Sequence, residues 1–380
     1  MRILAIETSC DDTGVAILEA SNKKQRARFK VLSNIVSSQK IHKNYGGVFP
    51  MMAKREHQRN LLPVCVKALK ESKLLIQNPK IKMQNDNAKL KIITKILERE
   101  PELLKQLIYF LEKYKKPDID LIAVTNGPGL EPCLWVGVNF ARALSCFWDI
   151  PIIPVNHIEA HILVNFLENK KINFPAISLI VSGGHTQLIL IKKIGDYTII
   201  GETRDDAAGE CFDKCAKILG LSYPGGPIIS KIASEAVRRP TSYRLPRPMI
   251  NSKDYDFSFS GLKTAVLYAT KNKKLTKQYI KEMCVEIQQS IIDVLLKKTI
   301  KAAKDYNIKT IILGGGVSAN SELRLQFEFK IKNEKFKIVF PEKNLSTDNA
   351  LMIAITAYFH KNKKASWKNL EAAANLRISK

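Results

Sequence analysis

Short apolar runs closed by small polar residues recur along the chain, and two of them share one plan. Ile3-Leu4-Ala5-Ile6 passes through Glu7-Thr8-Ser9-Cys10-Asp11-Asp12-Thr13 into Gly14-Val15-Ala16-Ile17-Leu18, and Ile177 to Val181 passes through Ser182-Gly183-Gly184-His185 into Thr186 to Ile191. Each reads as strand, polar turn, strand. Two such hairpins, near the starts of two similarly sized halves, predict duplicated α/β lobes with mixed sheets facing one another across a central cleft. Leu121 to Val124 and Ile311 to Leu313 predict further strands, which run into Asn126-Gly127-Pro128-Gly129 and Gly314-Gly315-Gly316. Ser321-Glu322-Leu323-Arg324 then reads as a helix start. Between Lys70 and Asp118, Leu90 to Leu97 and Glu102 to Tyr114 repeat apolar residues at helical spacing, with Pro101 suited to a first turn. That segment predicts an inserted helical hairpin, at about 75–115, whose lysines read as a solvated face in preference to an RNA-binding surface.

Composition narrows the class. The chain has 380 residues, 45% of them hydrophobic, enough for two substantial cores. Without a long apolar run or a leader-type start, the expectation is a cytoplasmic protein with no membrane partner. Seven cysteines without zinc-ribbon spacing read as reduced thiols, Cys211 and Cys215 among them. The net charge of +25 points towards a polyanion such as nucleic acid. Because the lysines are scattered and accompanied by many Ile and Asn, codon usage in an AT-rich genome accounts for them equally well.

The densest chemistry lies in Asn156-His157-Ile158-Glu159-Ala160-His161, after the strand-like run from Ile150 to Val155. Asn156 is a suitable cap, and residues four apart share a helix face, so His157 and His161 can present two imidazoles to one metal. On spacing alone, two surface histidines fit as well. Glu159 points off that face, which removes the general base of a helical zinc peptidase. The glycine turns suit close approach to a phosphate, yet match neither a Walker loop nor a dinucleotide fingerprint.

Taken together, these motifs resemble one family. Ile6-Glu7-Thr8-Ser9-Cys10-Asp11, Tyr45-Gly46-Gly47-Val48, Asn126 to Gly129, His157 to His161, Val181 to Thr186, Asp205 to Glu210, Phe212-Asp213-Lys214, Tyr223 to Pro227, Asp256 to Lys263, Gly314 to Asn320 and Thr347-Asp348-Asn349 are similar, in order and interval, to the bacterial tRNA N(6)-adenosine threonylcarbamoyltransferases, relatives of the Kae and Gcp proteins. The resemblance spans nearly the whole chain. It implies the actin-like, sugar-kinase-like ATPase fold, with two duplicated RNase H-like lobes around a central cleft. The lobes are expected at 1–155 and 156–345, with 346–380 a metal-ligand segment and helix packing back on the first. Asp12 departs from the glutamate usual there, and Pro50-Met51-Met52-Ala53-Lys54-Arg55 from the usual Pro-Glu-Leu-Ala-Ser-Arg.

The same resemblance implies the activity: transfer of a threonylcarbamoyl group from threonylcarbamoyl-AMP to the N(6) amine of the adenosine 3′ of the anticodon, with release of AMP. It assigns one divalent metal per subunit, iron(II) ahead of zinc, to His157, His161 and Asp348. It assigns the adenylate to Ile180, Val181, Ser182, Gly183, Gly184, Asp213, Gly226 and Asn320. Asp11 or Asp12 is the candidate acceptor of the amine proton. The implied partners are tRNA, a shorter paralogous subunit of the same fold and a small P-loop ATPase. A small-molecule kinase of this fold and an inactive scaffold subunit are the competing readings; magnesium's preference for oxygen ligands speaks against the kinase.

Overall fold

Strand β1 (Arg2–Glu7) buries Ile3, Leu4, Ala5 and Ile6 completely, which requires cover on both faces and a place inside a sheet. It pairs antiparallel with β2 (Asp12–Lys23), which pairs antiparallel with the edge strand β3 (Arg26–Ser38). On its other side β1 runs parallel to β4 (Leu121–Gly127), and β4 runs parallel to β5 (Ile152–Asn156). The order is β3-β2-β1-β4-β5. A second sheet repeats this plan with β6 (Ala176–Val181), β7 (Thr186–Lys193), β8 (Asp196–Glu202), β9 (Thr310–Gly314) and β10 (Lys337–Val339), in the order β10-β9-β6-β7-β8. Its pairs also match: β6 with β7 and β7 with β8 antiparallel, β6 with β9 and β9 with β10 parallel. The duplicated hairpins are the first two strands of each sheet.

The computed structural model describes residues 1–23, 26–77, 87–168, 172–235, 243–332, 334 and 336–379, so residues 78–86 of the predicted insertion lie outside the described residues. The chain divides into two compact units. The first holds Met1–Lys40, Val48–Lys170 and Asp348–Arg377; the second holds Ile41–Gly47, Lys171–Thr347 and Ile378–Lys380. No described helix is long and apolar enough to cross a membrane.

In the first unit, α1 (Pro50–Glu71) and α4 (Glu131–Trp148) pack on the sheet. Between them in sequence lie α2 (Asn87–Ile96), which packs on α4, and α3 (Pro101–Lys113), which packs on α1. These are the two helices predicted between Lys70 and Asp118, and their inner faces are built into the core. Ile93, Leu97, Leu103, Leu107, Phe110 and Leu111 are part of the core that also holds Phe140, Leu144 and Trp148. Only the outer faces, with exposed Lys91, Lys95 and Lys105, are solvated.

The boundary expected after residue 155 is also corrected: helix α5 (His157–Leu163) belongs to the first unit. All seven of its residues are buried, and it packs on β4, β5 and the C-terminal helix Ala350–Phe359. These contacts place the helix in the first unit. Beyond the C-terminal helix the chain runs on along the first unit, where the Ala373 amide donates to the Asn126 carbonyl. A β-carbon on Gly127 would lie 1.9 Å from the Ala373 oxygen, so this close crossing requires glycine.

In the second unit, the core is built on the long helix α9 (Lys277–Asp305). With it stand α6 (Ala208–Ile218), α7 (Gly225–Ser234), α8 (Ser260–Thr270) and α10 (Ser321–Lys332).

Candidate metal centre

β5 delivers the chain to Asn156, whose Oδ1 accepts from the amides of Ile158 at 2.9 Å and Glu159 at 3.1 Å. This cap starts α5 with His157 at the first helical position and His161 one turn later. The two rings meet edge to face, their centroids 4.7 Å apart. Asp348 arrives at the head of the returning segment, held there because the next residue, Asn349, caps the C-terminal helix by accepting from the Met352 amide at 3.2 Å. Its Oδ1 stands 3.1 Å from His161 Nε2 and 3.6 Å from His157 Nε2. The three ligand atoms all lie within 4.8 Å of one another.

Behind His157, Nδ1 is 3.2 Å from Glu7 Oε2 and 3.2 Å from Ser9 Oγ. Burial works to raise the Glu7 carboxyl, but the facing His157 and the hydrogen bonds from His157 and Ser9 outweigh it and leave the carboxyl below its ordinary value. Burial works to lower His157, and the charges of Asp348 and Glu7 overcome it, raising the imidazole to about 9 in the metal-free chain. His161 is 1% exposed, and its Nδ1 has no hydrogen-bond partner among the described residues.

This donor set fits a divalent transition metal. Two imidazole nitrogens and one carboxylate oxygen converge, the histidines buried and Asp348 partly so, and three protein ligands leave coordination positions for oxygens of another molecule. Glu159 takes no part; it turns to His360, whose Nε2 lies 2.7 Å from Glu159 Oε1.

Asp11 lies in the turn from β1 to β2, and Asp12 opens β2. His57 on α1 ties this turn down, with Nε2 2.9 Å from the Cys10 carbonyl and Nδ1 2.8 Å from Thr13 Oγ1. Burial, reinforced by the negative charges of Asp348, Asp11 and Glu7, raises the Asp12 carboxyl to about 7 against an opposing hydrogen bond from Ser38. The Cys10 thiol is pushed well up by burial and by Asp11, and stays protonated. A folded carboxyl at about 7 holds a proton that the unfolded chain releases near 4, so it lowers stability as pH rises between those values. For the chelator-treated protein we expect Asp12→Asn to be the more stable chain at pH 8, by roughly 2 kcal/mol after allowance for partial exposure, and to lose that advantage at pH 4. Chemical denaturation at both pH values checks this; equal pH dependence of the two proteins would contradict it.

The residues assigned to an adenylate fall in three places in the second unit: the end of β6 with its following turn, α6 with the start of α7, and the residue before α10. Ser182 closes the β6–β7 turn, donating its amide to the His185 carbonyl at 2.8 Å while its Oγ accepts from the His185 amide at 3.1 Å. Gly183 and Gly184 are exposed, and an added β-carbon would meet nothing within 4 Å at either. Ile180 and Val181 are fully buried in β6, so neither side chain is open to a ligand. Asp213 Oδ1 accepts from the Gly225 amide at 2.6 Å, which joins α6 to the start of α7, where Gly226 lies. Asn320 caps α10, its Oδ1 accepting from the Leu323 amide at 3.0 Å and its Nδ2 donating to Gln288 Oε1 at 2.8 Å.

Sequence reasoning missed Glu7, Ser9, Thr125 and His57 as parts of this neighbourhood. Glu7 alone carried a signal, a carboxylate ending an otherwise apolar buried strand, which demands partners.

The family model described as tRNA N6-adenosine threonylcarbamoyltransferase matches residues 30–80 and 98–355. The protein of that name from Persephonella marina is 42% identical over 386 residues, covering 100% of this chain and 96% of its own. The one from Thermosipho africanus is 41% identical over 382 residues, with 100% of both chains covered. Among solved structures, full-length HypF in its phosphate- and nucleotide-bound form is similar in fold, with a TM-score of 0.51 at 13% identity over 98% of this chain and 47% of that one.

Proposed function

The chain belongs to the tRNA N6-adenosine threonylcarbamoyltransferase family, an acyltransferase family of tRNA modification, and from that premise we propose how its residues divide the work. The product is N(6)-threonylcarbamoyladenosine beside the anticodon, on the 3′ side, in tRNAs that read codons beginning with adenine. The donor is threonylcarbamoyl-AMP, and AMP leaves. Metal binding and proton acceptance fall to the first unit, adenylate binding to the second.

The observation that carries this reading is the convergence of His157, His161 and Asp348 within a family whose reaction needs charge stabilised on carbonyl oxygens. His157, His161 and Asp348 would hold one iron(II), or zinc in its place, since imidazole and carboxylate suit both ions. When bound, the ion supplies Lewis-acid charge for threonylcarbamoyl oxygens. The remaining work belongs to the chain itself. The amides of Ser182, Gly183 and Gly184 hold the adenylate phosphate, as exposed glycine turns can. Asp213 takes hydroxyls of the nucleoside, with Gly226 and Asn320 lining its site. Asp12 accepts the proton of the attacking amine; a carboxyl raised to about 7 is matched to proton transfer near neutral pH, which favours it over Asp11. The protein works in the cytoplasm, where its tRNA is, and the family resemblance supplies a shorter paralogous subunit and a small P-loop ATPase as helpers.

Gly183→Val tests the adenylate assignment, because an added β-carbon there meets nothing within 4 Å. The variant should keep its melting temperature and lose at least about tenfold in affinity for a non-hydrolysable adenylate analogue, through obstructed backbone approach. Unchanged analogue affinity with weakened tRNA binding would reverse the assignment. The reaction itself is tested with purified protein, threonylcarbamoyl-AMP and unmodified tRNA, with and without the two helper proteins. Modified nucleoside and AMP in equal amounts are expected; neither product under any condition would refute the reading.

A further inference from the structure

We infer that Glu7 is a positioning residue that fixes the tautomer of His157, so that Nε2 is the nitrogen offered to a metal. The inference rests on the metal reading above, and it concerns how that site is prepared rather than which residues bind.

Glu7 ends β1 with no exposed surface, and its carboxylate is surrounded by donors. Oε1 accepts from the Ser9 amide at 2.5 Å, and Oε2 accepts from Thr125 Oγ1 on β4 at 2.5 Å. His157 Nδ1 stands 3.2 Å from the same Oε2. An ionised carboxylate only accepts, so the hydrogen between them must sit on Nδ1. A neutral imidazole protonated at Nδ1 has its lone pair at Nε2, the atom 3.6 Å from Asp348 Oδ1. Two strands hold Glu7 rigidly, so the ring is oriented before any ion arrives. His161 has no such support, since its Nδ1 lacks a partner among the described residues. The two histidines are therefore unequal: one anchored ligand, one that settles when the site fills.

Glu7→Gln makes a sharp test because the Ser9 amide is a fixed donor. The glutamine oxygen must face that amide, which turns its NH2 group towards Thr125 and His157. Thr125 can rotate its hydroxyl to accept. His157 must present a bare Nδ1, which moves its hydrogen to Nε2 and blocks the metal. We expect Zn2+ or Co2+ affinity of the full-length, metal-stripped chain to fall about 10- to 100-fold in Glu7→Gln. Thr125→Val, which also deletes a buried hydrogen bond but keeps the carboxylate, should change affinity less than about threefold if the role is orientation and not general support.

Should Glu7→Gln fail to fold, the wild type still decides. Nitrogen-15 spectra of its imidazoles, with zinc bound, should show His157 carrying hydrogen on Nδ1. Hydrogen on Nε2 of His157, or wild-type affinity in Glu7→Gln, would overturn the inference while leaving the metal reading intact. A wild type that takes up neither Zn2+ nor Co2+ would remove the metal reading and this inference with it.

Discussion

His161→Ala should lower the rate of threonylcarbamoyl transfer by about a thousandfold, corresponding to the several kcal/mol of charge stabilisation that a metal ion supplies, while shifting the melting temperature by only a few degrees. The separation of effects follows from the contacts. His161 reaches Asp348 through Nε2, and its Nδ1 has no partner to leave behind among the described residues. His157→Ala should be equally inactive but less stable, by about 3 kcal/mol, because it leaves the fully buried Glu7 carboxylate without the imidazole that faces it. Single-turnover kinetics and thermal melts on both variants measure this difference. An active His161→Ala protein would take the metal out of catalysis, and equal melting temperatures would show that Glu7 is satisfied by Ser9 and Thr125 alone.

The second large effect is on stability and falls far from the chemistry. Phe110 on α3 is 2% exposed and lies edge-on to Trp148 of α4, with ring centroids 6.3 Å apart. Phe110→Ala should cost about 3–5 kcal/mol, as expected when a buried aromatic leaves a cavity in a core that cannot close over it. The same packing means that excising the α2–α3 pair would strip α1 and α4 of their cover, so the lysines of this segment are better tested by substituting exposed Lys91, Lys95 and Lys105. Denaturant titration of Phe110→Ala checks the claim. A loss below about 1 kcal/mol would show that α2 and α3 contribute little to the core.

Much of this architecture was legible before any coordinates. The hairpins at Ile3–Leu18 and Ile177–Ile191 are local features, written by apolar runs on either side of a small polar turn. What they could not reveal is the identical strand order of the two sheets, because parallel neighbours such as β1 and β4 lie more than a hundred residues apart and no local pattern records their pairing. Helical spacing also identified α2 and α3, but spacing does not say whether an apolar stripe covers a core or a partner. The unit boundary was misplaced for a similar reason: the restart of apolar pattern after Val155 looks like a new beginning, and only packing against the C-terminal helix shows that α5 closes the first unit.

The candidate site divides in the same way. Four-residue spacing and the Asn156 cap placed His157 and His161 on one face, and both indeed converge. Asp348 is 187 positions from His161 and entered only through family resemblance. Glu7, Ser9 and Thr125 acquire their meaning from a hydrogen-bond network that spans two strands and a helix, which exists only once the chain has folded. Ile180 and Val181 carry the opposite lesson, since family resemblance assigned them to a ligand while the fold buries both completely.

Elemental analysis of the protein purified without chelators tests the central claim most directly, alongside Asp348→Ala prepared identically. One iron or zinc ion per wild-type chain, with most of it lost from the variant, is the predicted result. A wild type with no bound transition metal after reconstitution, or a variant that keeps a full complement, would contradict the assignment of His157, His161 and Asp348 as one metal centre.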